Sequence, residues 1–210
     1  MWDAVGHGVD LCTVSQSDDG DLAMQVPASA RDCEYKDAVA GVRIRGLLKE
    51  IDDEWKRAFD LMNRFDQDAG VKDIQNSINY LRHSVNGCTG KVGAVGYCLG
   101  GKLCYLMCCR TDIDCAVAYY GTYIEHRIKE AKNLHRPFVL HMAMKDRWVQ
   151  AEVNDMLERR LGPSPFVTIH KYPGADHAFA RHGGKTYSKP EADRALALTV
   201  DFFKQHLSAG

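Results

Sequence analysis

The sequence predicts an α/β protein in which helices flank both faces of a mostly parallel central sheet. Short apolar segments, such as residues 91–97 ("KVGAVGY") and 166–173 ("FVTIHKYP"), alternate along the chain with amphipathic segments such as residues 150–161. Strands and helices that alternate in this way build parallel sheets, because each crossover helix packs back onto the sheet. Of the 210 residues, 45% are apolar and 26% are charged, which predicts a single soluble domain over residues 1–210.

Apolar residues at helical spacing predict two helices ahead of the first parallel strand. Residues 52–65 place Trp55 and its apolar neighbours on one helical stripe, and residues 68–85 repeat the pattern, with a division expected near Gly70. The polar segment 124–134 fits either a helix or a loop. The same patterns predict strands at 91–97, 115–121, 136–144 and 166–173, and helices at 100–110, 150–161 and 190–207.

The front of the chain is patterned differently from the rest. Residues 9–29 read as two strands joined by a turn at Asp18, Asp19 and Gly20, and this combination is typical of a β-hairpin. Residues 37–51 fit a strand or a helix equally well. The sequence therefore predicts an antiparallel addition to the otherwise parallel sheet.

Charge and hydropathy exclude several classes of partner. The net charge is −1, so nothing favours binding to nucleic acid or to an anionic membrane. No apolar run approaches the roughly 20 residues that a membrane helix requires. Residues 1–14 lack a basic region followed by an apolar core, so no secretory signal is expected and the cytoplasm is the expected location.

Eight cysteines are present, and most are expected to be reduced, buried and chemically silent. Disulfide frameworks belong to short secreted chains, whereas four of these cysteines cluster on one predicted strand, turn and helix. Cys104 and Cys108 share a helix face, but no Cys-x-x-Cys pair or close histidine completes a zinc set, so no metal is expected. The cysteines are Cys12, Cys33, Cys88, Cys98, Cys104, Cys108, Cys109 and Cys115.

The stretch "GYCLG", residues 96–100, lies where a predicted strand turns sharply into a helix. It has the spacing of the G-x-S-x-G nucleophile turn, with the sulfur of Cys98 in place of a serine oxygen. A helix that begins there directs its positive end at the sulfur, which favours a thiolate. The N–H of Leu99 is then placed to bind a developing oxyanion. The alternative is a buried cysteine that only packs in a glycine-rich junction.

Two further residues suited to catalysis follow later strands. Asp146 comes just beyond the strand at 136–144, and His177 lies in the loop after the strand at 166–173. The order nucleophile, acid, histidine is that of α/β-hydrolase triads, and residues that end different parallel strands meet at one edge of the sheet. Taken alone, Asp146 fits a helix N-cap and His177 a surface-loop histidine. Asp176 is a competing acid whose position directs it elsewhere.

From about residue 52 to the C-terminus, the chain resembles the dienelactone hydrolase family of α/β-hydrolases. The matching segments are "EWKRAFDLMNRFDQDAGVKDI", "GKVGAVGYCLGGKLCYL", "AVAYYGTYIE", "LHMAMKDRWV" and "YPGADHAFAR". The resemblance implies an α/β-hydrolase fold and a carboxylic ester hydrolase of the kind used in aromatic degradation. It also implies that a Cys98–His177–Asp146 triad opens a lactone or enol-lactone through a thioester.

The resemblance assigns substrate contacts as well. Arg181 matches the family's arginine that binds a substrate carboxylate, and Tyr119 matches a tyrosine that lines the pocket. Judged without the resemblance, Arg181 fits a solvated loop residue and Tyr119 fits a core residue. The implied partner is a small carboxylated lactone or ester, with no cofactor, and the expected state is a monomer or a weak homo-oligomer.

The chain departs from the family in its first third. Between the hairpin and the first long helix, the family carries two more core strands and a "QEIFG"-like segment that supplies a glutamate and a second oxyanion N–H. Residues 30–51 do not match it. We therefore expect a sheet reduced on its N-terminal side, with one edge exposed. A general carboxylesterase or thioesterase of the same fold, and a non-catalytic remnant lacking the second oxyanion donor, are the alternatives.

Overall fold

The computed structural model describes residues 9–16, 22–25, 62–84 and 89–208, the first two ranges by their backbone only. Residues 37–51, which fitted a strand or a helix, lie outside these ranges, as does most of the helix predicted at 52–65. The strands are β1 (Val9–Gln16), β2 (Leu22–Gln25), β3 (Gly93–Tyr97), β4 (Cys115–Tyr119), β5 (Phe138–Ala143) and β6 (Val167–Tyr172). The α-helices are α1 (Gln67–Ser84), α2 (Leu99–Arg110), α3 (Ala151–Leu161) and α4 (Lys189–Leu207), and a 3-10 helix covers Ile124–Asn133.

The described strands form one sheet in the order β2-β1-β3-β4-β5-β6. Strands β3 to β6 are parallel, and β1 and β2 form the predicted antiparallel hairpin. The expectation of an exposed edge beside β3 is wrong, because β1 pairs antiparallel with β3 from Val9 opposite Gly96 to Cys12 opposite Gly93. The backbone N–H and C=O groups along these two strand edges, which would otherwise be unpaired, thus hydrogen-bond to one another.

Alternate residues of the parallel strands enter two separate cores, as the pleat of a strand requires. On β5, Phe138 packs with α1, α2 and α3, whereas the next residue, Val139, packs with α4. Helices therefore cover both faces of the sheet, as predicted. Gly93 lets α4 approach closely, since a Cβ there would lie 2.9 Å from side-chain atoms of both Phe203 and Leu207.

The helix predicted at 68–85 begins at Gln67, although the division from the preceding helix was expected near Gly70. Asp66 Oδ1 accepts hydrogen bonds from the N–H groups of Asp68 and Ala69, which caps α1 ahead of Gln67. Gly70 consequently lies inside the first turn of α1, where it is buried. A side-chain cap, rather than the glycine, sets the boundary.

The ambiguous segment after β4 is a 3-10 helix that is held largely by charged contacts. Arg110 at the end of α2 makes a bidentate ion pair with Glu130 at 2.6 and 2.7 Å, and a further bond of 2.6 Å reaches Asp68 in α1. Within the 3-10 helix only Ile124 is buried. Ile128 and Ala131 pack against the same core but are only partly buried, so most of the segment faces solvent.

The cysteines of the described core behave as small apolar side chains. Cys104, Cys108, Cys109 and Cys115 are buried, and no disulfide joins any of them. Burial raises the pKa of the Cys108 thiol well above its usual value and that of Cys109 to about 12, so both stay neutral thiols. In the described ranges no group of three or more His, Cys, Asp or Glu side chains is arranged to hold a metal ion.

Candidate active site

Cys98 occupies the sharp turn between β3 and α2, in a backbone conformation that non-glycine residues rarely adopt. Its φ is 55° and its ψ is −116°. The preceding glycine makes this turn possible, because a Cβ on Gly96 would lie 2.2 Å from the carbonyl oxygen of Gly100 and 2.8 Å from Cys104 Sγ. The strained position is therefore built into the local sequence, and it leaves the Cys98 side chain half-buried at the carboxyl end of the sheet.

The turn is held against the end of the neighbouring strand by three contacts. The N–H of Cys98 donates to the carbonyl of Tyr119 at 3.1 Å, and the N–H of Thr122 donates to the carbonyl of Cys98 at 3.2 Å. Helix α2 also approaches the β4 loop closely, since a Cβ on Gly101 would lie 2.8 Å from Gly121 Cα. These contacts determine where the sulfur lies relative to the loops after β4.

Asp146 and His177 meet although 31 residues separate them in the chain. Asp146 follows β5 and His177 follows β6, and His177 Nδ1 lies 2.8 Å from Asp146 Oδ2. The other carboxylate oxygen accepts hydrogen bonds from the N–H groups of Trp148 at 2.8 Å and Val149 at 3.2 Å. Asp146 thus holds the turn ahead of α3 and is the partner of His177, whereas the N-cap of α3, which its position suggested for Asp146, is Gln150.

The imidazole of His177 contacts the Cys98 thiol as well as Asp146. Burial of the ring opposes its protonation, but the hydrogen bonds to Asp146 and Cys98 outweigh it and raise the pKa of His177 to about 9. The structure therefore brings Cys98, His177 and Asp146 into one chain of contacts. A cationic ring beside the sulfur favours the thiolate.

Asp176, the competing acid, faces away from the His177 ring. Its carboxylate accepts from the Arg147 guanidinium at 2.8 Å and from the backbone N–H of His177 at 2.6 Å. Burial favours the neutral acid here, but these hydrogen bonds outweigh it and lower the pKa of Asp176. Asp176 thus secures the loop that carries His177, and Asp146 alone reaches the imidazole.

The N–H of Leu99 belongs to the first residue of α2, directly after Cys98. The first N–H groups of an α-helix have no intrahelical acceptor and carry partial positive charge. The oxyanion role of this N–H stays a prediction. The Leu99 side chain itself is buried in the protein.

Two aromatic residues that sequence reasoning missed lie against His177. The ring centroid of Tyr120 is 4.9 Å from that of His177, and the ring of Trp148 is 6.5 Å away in an edge-on orientation. Tyr120 is buried, whereas Trp148 is 49% exposed. Their positions in the sequence could have identified them. Tyr120 directly follows β4 and Trp148 follows Asp146, so both lie at the same edge of the sheet as Cys98.

Arg181 and Tyr119, the two predicted substrate contacts, differ in placement. Arg181 is exposed in the loop after His177, and its charge acts on the nearby Tyr120 hydroxyl. Within the described part of the chain its guanidinium makes no hydrogen bond or ion pair. Tyr119 is 2% exposed, and its hydroxyl bonds with Thr199 at 2.7 Å inside the core. This placement matches the core alternative, and a substrate contact of Tyr119 stays a prediction.

Comparison with solved structures shows the fold. The chain superposes on a candidate dienelactone hydrolase from Klebsiella pneumoniae subsp. pneumoniae with a TM-score of 0.65 at 21% identity, covering 89% of this chain and 76% of that one. An esterase from Pyrococcus furiosus gives a TM-score of 0.54 at 15% identity, covering 67% and 63%. The fold is that of the α/β-hydrolases, as predicted.

Sequence comparison assigns the family. The model of the dienelactone hydrolase family matches residues 40–207. The chain is 38% identical over 167 residues to a candidate carboxymethylenebutenolidase from Azospirillum brasilense, covering 80% of this chain and 70% of the relative. It is 36% identical to the carboxymethylenebutenolidase of Pseudomonas putida, covering 75% and 67%. The chain belongs to the dienelactone hydrolase family and is a hydrolase acting on an ester or a lactone.

None of the helices within the described ranges is both long and apolar enough to cross a bilayer.

Proposed function

We propose that the protein hydrolyses a small carboxylated lactone of the dienelactone type, with Cys98 as the nucleophile. One observation carries the proposal: a cysteine on a strained strand-to-helix turn contacts a histidine whose Nδ1 lies 2.8 Å from a buried aspartate. Nucleophile, base and orienting acid each come from a different strand end, which is the arrangement that acyl transfer requires. The names of the relatives in Azospirillum and Pseudomonas indicate the lactone class.

In the first half-reaction the Cys98 thiolate attacks the lactone carbonyl carbon and forms a carbon–sulfur bond. The Leu99 N–H stabilises the oxyanion that develops on the carbonyl oxygen. Collapse of this intermediate breaks the ring carbon–oxygen bond, and protonated His177 supplies a proton to the leaving oxygen. The product of this step is a ring-opened thioester on Cys98, with His177 left neutral.

In the second half-reaction neutral His177 accepts a proton from water, which attacks the thioester carbonyl. Breaking the carbon–sulfur bond releases the carboxylic acid and returns Cys98 as a thiolate beside protonated His177. Asp146 keeps the same ring orientation throughout, because its second oxygen is held by two backbone N–H groups. No cofactor takes part in either half-reaction.

Arg181 is proposed to bind the carboxylate of the substrate. Its guanidinium is exposed, lies near Tyr120 and is available for paired, charge-assisted hydrogen bonds. Binding of this kind orients the lactone relative to the sulfur rather than changing the chemistry. Trp148, half-exposed beside His177, offers an apolar surface for the remainder of a small ring.

The proposal is tested by measuring hydrolysis of a dienelactone by wild-type protein, Cys98→Ala and Cys109→Ala. Cys109 lies near the far end of the same helix and is the matched control. We expect Cys98→Ala to lose at least about 1,000-fold in kcat/KM, whereas Cys109→Ala keeps its activity wherever it folds. Intact mass spectrometry of a rapidly quenched reaction is expected to show an acyl adduct on Cys98. A folded, active Cys98→Ala variant would refute the nucleophile.

The carboxylate contact is tested in the same assay with Arg181→Gln and the exposed Arg159→Gln as its control. We expect Arg181→Gln to raise KM for the carboxylated lactone about 10- to 100-fold and to leave an uncharged ester unaffected. Equal losses on both substrates would contradict the role of Arg181. Efficient turnover of uncharged esters or thioesters with no effect of Arg181 would favour a general esterase instead.

A further inference from the structure

Thr122 lies beside the proposed nucleophile and takes no part in the mechanism derived above. It follows β4, is 3% exposed, and donates its backbone N–H to the carbonyl of Cys98 at 3.2 Å. The preceding Gly121 packs so closely on Gly101 that a Cβ on either would meet atoms of the other at 2.8 to 3.2 Å. The backbone of Thr122 is therefore held in place relative to the turn.

The side chain of Thr122 also reaches the sulfur. Its Oγ1 lies 3.7 Å from Cys98 Sγ, within the range of a hydrogen bond to sulfur. Among the described residues, that hydroxyl makes no other hydrogen bond, although it is buried. A buried hydroxyl without a partner costs free energy, so this contact is expected to be made in the folded protein.

We propose that Thr122 is a positioning residue that donates a hydrogen bond to Cys98 Sγ and, together with His177, holds the sulfur as a thiolate. The hydroxyl is the donor because a thiolate has no proton to give. The raised pKa of His177 is consistent with such an ion pair at neutral pH. The inference deepens the proposed function, since it assumes Cys98 as the nucleophile.

The direction of the hydrogen bond between Thr122 and Cys98 determines whether removal of the hydroxyl raises or lowers the pKa of Cys98. If the hydroxyl donates to the thiolate, its removal destabilises the charged form and raises the pKa of Cys98. If the thiol donates to the hydroxyl instead, removal destabilises the neutral form and lowers that pKa. A purely structural threonine would leave the titration of Cys98 unchanged.

The test is the pH dependence of Cys98 alkylation by iodoacetamide in the full chain, quantified on the Cys98 peptide by mass spectrometry. Thr122→Val removes the hydroxyl at nearly constant volume, and Thr122→Ser keeps it. The matched control is Thr111→Val, because Thr111 is a buried threonine whose hydroxyl bonds to a backbone carbonyl at the far end of α2. Near-ultraviolet circular dichroism checks the fold of each variant. Thr122→Ala replaces Thr122→Val if the valine variant does not fold.

We expect Thr122→Val to lower the alkylation rate about tenfold below neutral pH, through a thiolate titration displaced to higher pH. Thr122→Ser and Thr111→Val should titrate like the wild type. An unchanged or lowered Cys98 pKa in Thr122→Val would overturn the inference. Alkylation does not require substrate, so a shifted profile in a protein that hydrolyses no lactone would refute the proposed function while leaving the role of Thr122 intact.

Discussion

Asp146 shows how one side chain serves two purposes in this site. One oxygen accepts two backbone N–H groups of the turn that follows β5, and the other contacts His177 Nδ1 at 2.8 Å. A carboxylate held at both oxygens keeps a single orientation, and so does the imidazole bound to it. Of the two sequence interpretations of Asp146, the helix cap is wrong, because the N-cap of α3 is Gln150, and the contact with His177 is the one expected of a triad acid.

The His177 ring is predicted to stay protonated above neutral pH. Burial of the ring lowers its pKa, but the hydrogen bonds to Asp146 and Cys98 outweigh burial and raise the pKa to about 9. We expect the ring to lose its proton near pH 9 in the wild type and at lower pH in Cys98→Ala, since the sulfur that favours the charged ring is absent there. The histidine ring signals in NMR spectra, followed as a function of pH, measure both titrations.

The exposed His126 provides the control for that measurement, because its side chain is 64% exposed. His126→Gln should leave the titration of the His177 ring unchanged. If the His177 ring titrated at the same pH in the wild type and in Cys98→Ala, the effect of Cys98 on its pKa would be contradicted.

At the scale of single elements, the turn between β3 and α2 determines whether the site forms. It needs a residue without a side chain at position 96, where the space of a Cβ is occupied by the backbone of Gly100. Backbone cannot move aside as the end of a flexible side chain can. The strain at Cys98 is maintained because Tyr119, at the end of β4, and Thr122, in the loop after it, hydrogen-bond to the N–H and the carbonyl of Cys98.

Gly96→Ala is therefore predicted to destabilise the protein by roughly 2–4 kcal/mol and to abolish rapid alkylation of Cys98. Its control is Gly174→Ala, since a Cβ on Gly174 would meet only the Glu191 carboxylate at 3.3 Å. Thermal unfolding and iodoacetamide labelling report the two effects. A Gly96→Ala variant as stable and as reactive as the wild type would show that the turn can rearrange.

At the scale of the whole molecule, a buried polar network joins the sheet to the terminal helix. Tyr119 of β4 bonds with Thr199 of α4 at 2.7 Å, and Thr199 bonds with His141 of β5 at 3.1 Å. His141 in turn bonds with the hydroxyl of Tyr172 on β6 at 2.9 Å. Three strands and α4 thus share one network beneath the carboxyl edge of the sheet.

This network predicts sensitivity to acid. Burial of His141, with smaller contributions from the nearby His170 and Arg194, lowers its pKa to about 3. The unfolded chain binds a proton at His141 below about pH 6.5, whereas the folded chain does not until about pH 3, so stability falls as the pH falls between these values. We expect roughly 2–3 kcal/mol to be lost between about pH 7 and 4.5.

Urea denaturation of wild type and His141→Gln at the two pH values tests this expectation. The variant removes hydrogen bonds and starts less stable, so the comparison concerns the pH dependence alone. We expect the free energy of unfolding to fall less in His141→Gln than in the wild type. An equal fall would show that groups other than His141 cause the acid sensitivity. His126→Gln again serves as the exposed control.

The sequence by itself determined the alternation of strands and helices, the hairpin at the front and the nucleophile turn. Each follows from local rules: the apolar period of 3.6 or 2 residues, a turn-forming tripeptide, and the spacing of Gly96, Cys98 and Gly100. Chain order also placed Asp146 and His177 at the correct edge, because residues that follow parallel strands share that edge.

Only the tertiary structure decided which side chains meet there. It separated Asp146 from Asp176, placed the Tyr119 hydroxyl in the core on Thr199, and brought Thr122 to the sulfur of Cys98. It also paired β1 with β3, where the sequence predicted an exposed edge. The physical reason is the same in each case: these contacts join residues distant in the chain, and no local period or turn preference encodes which atoms of neighbouring strands and loops face one another.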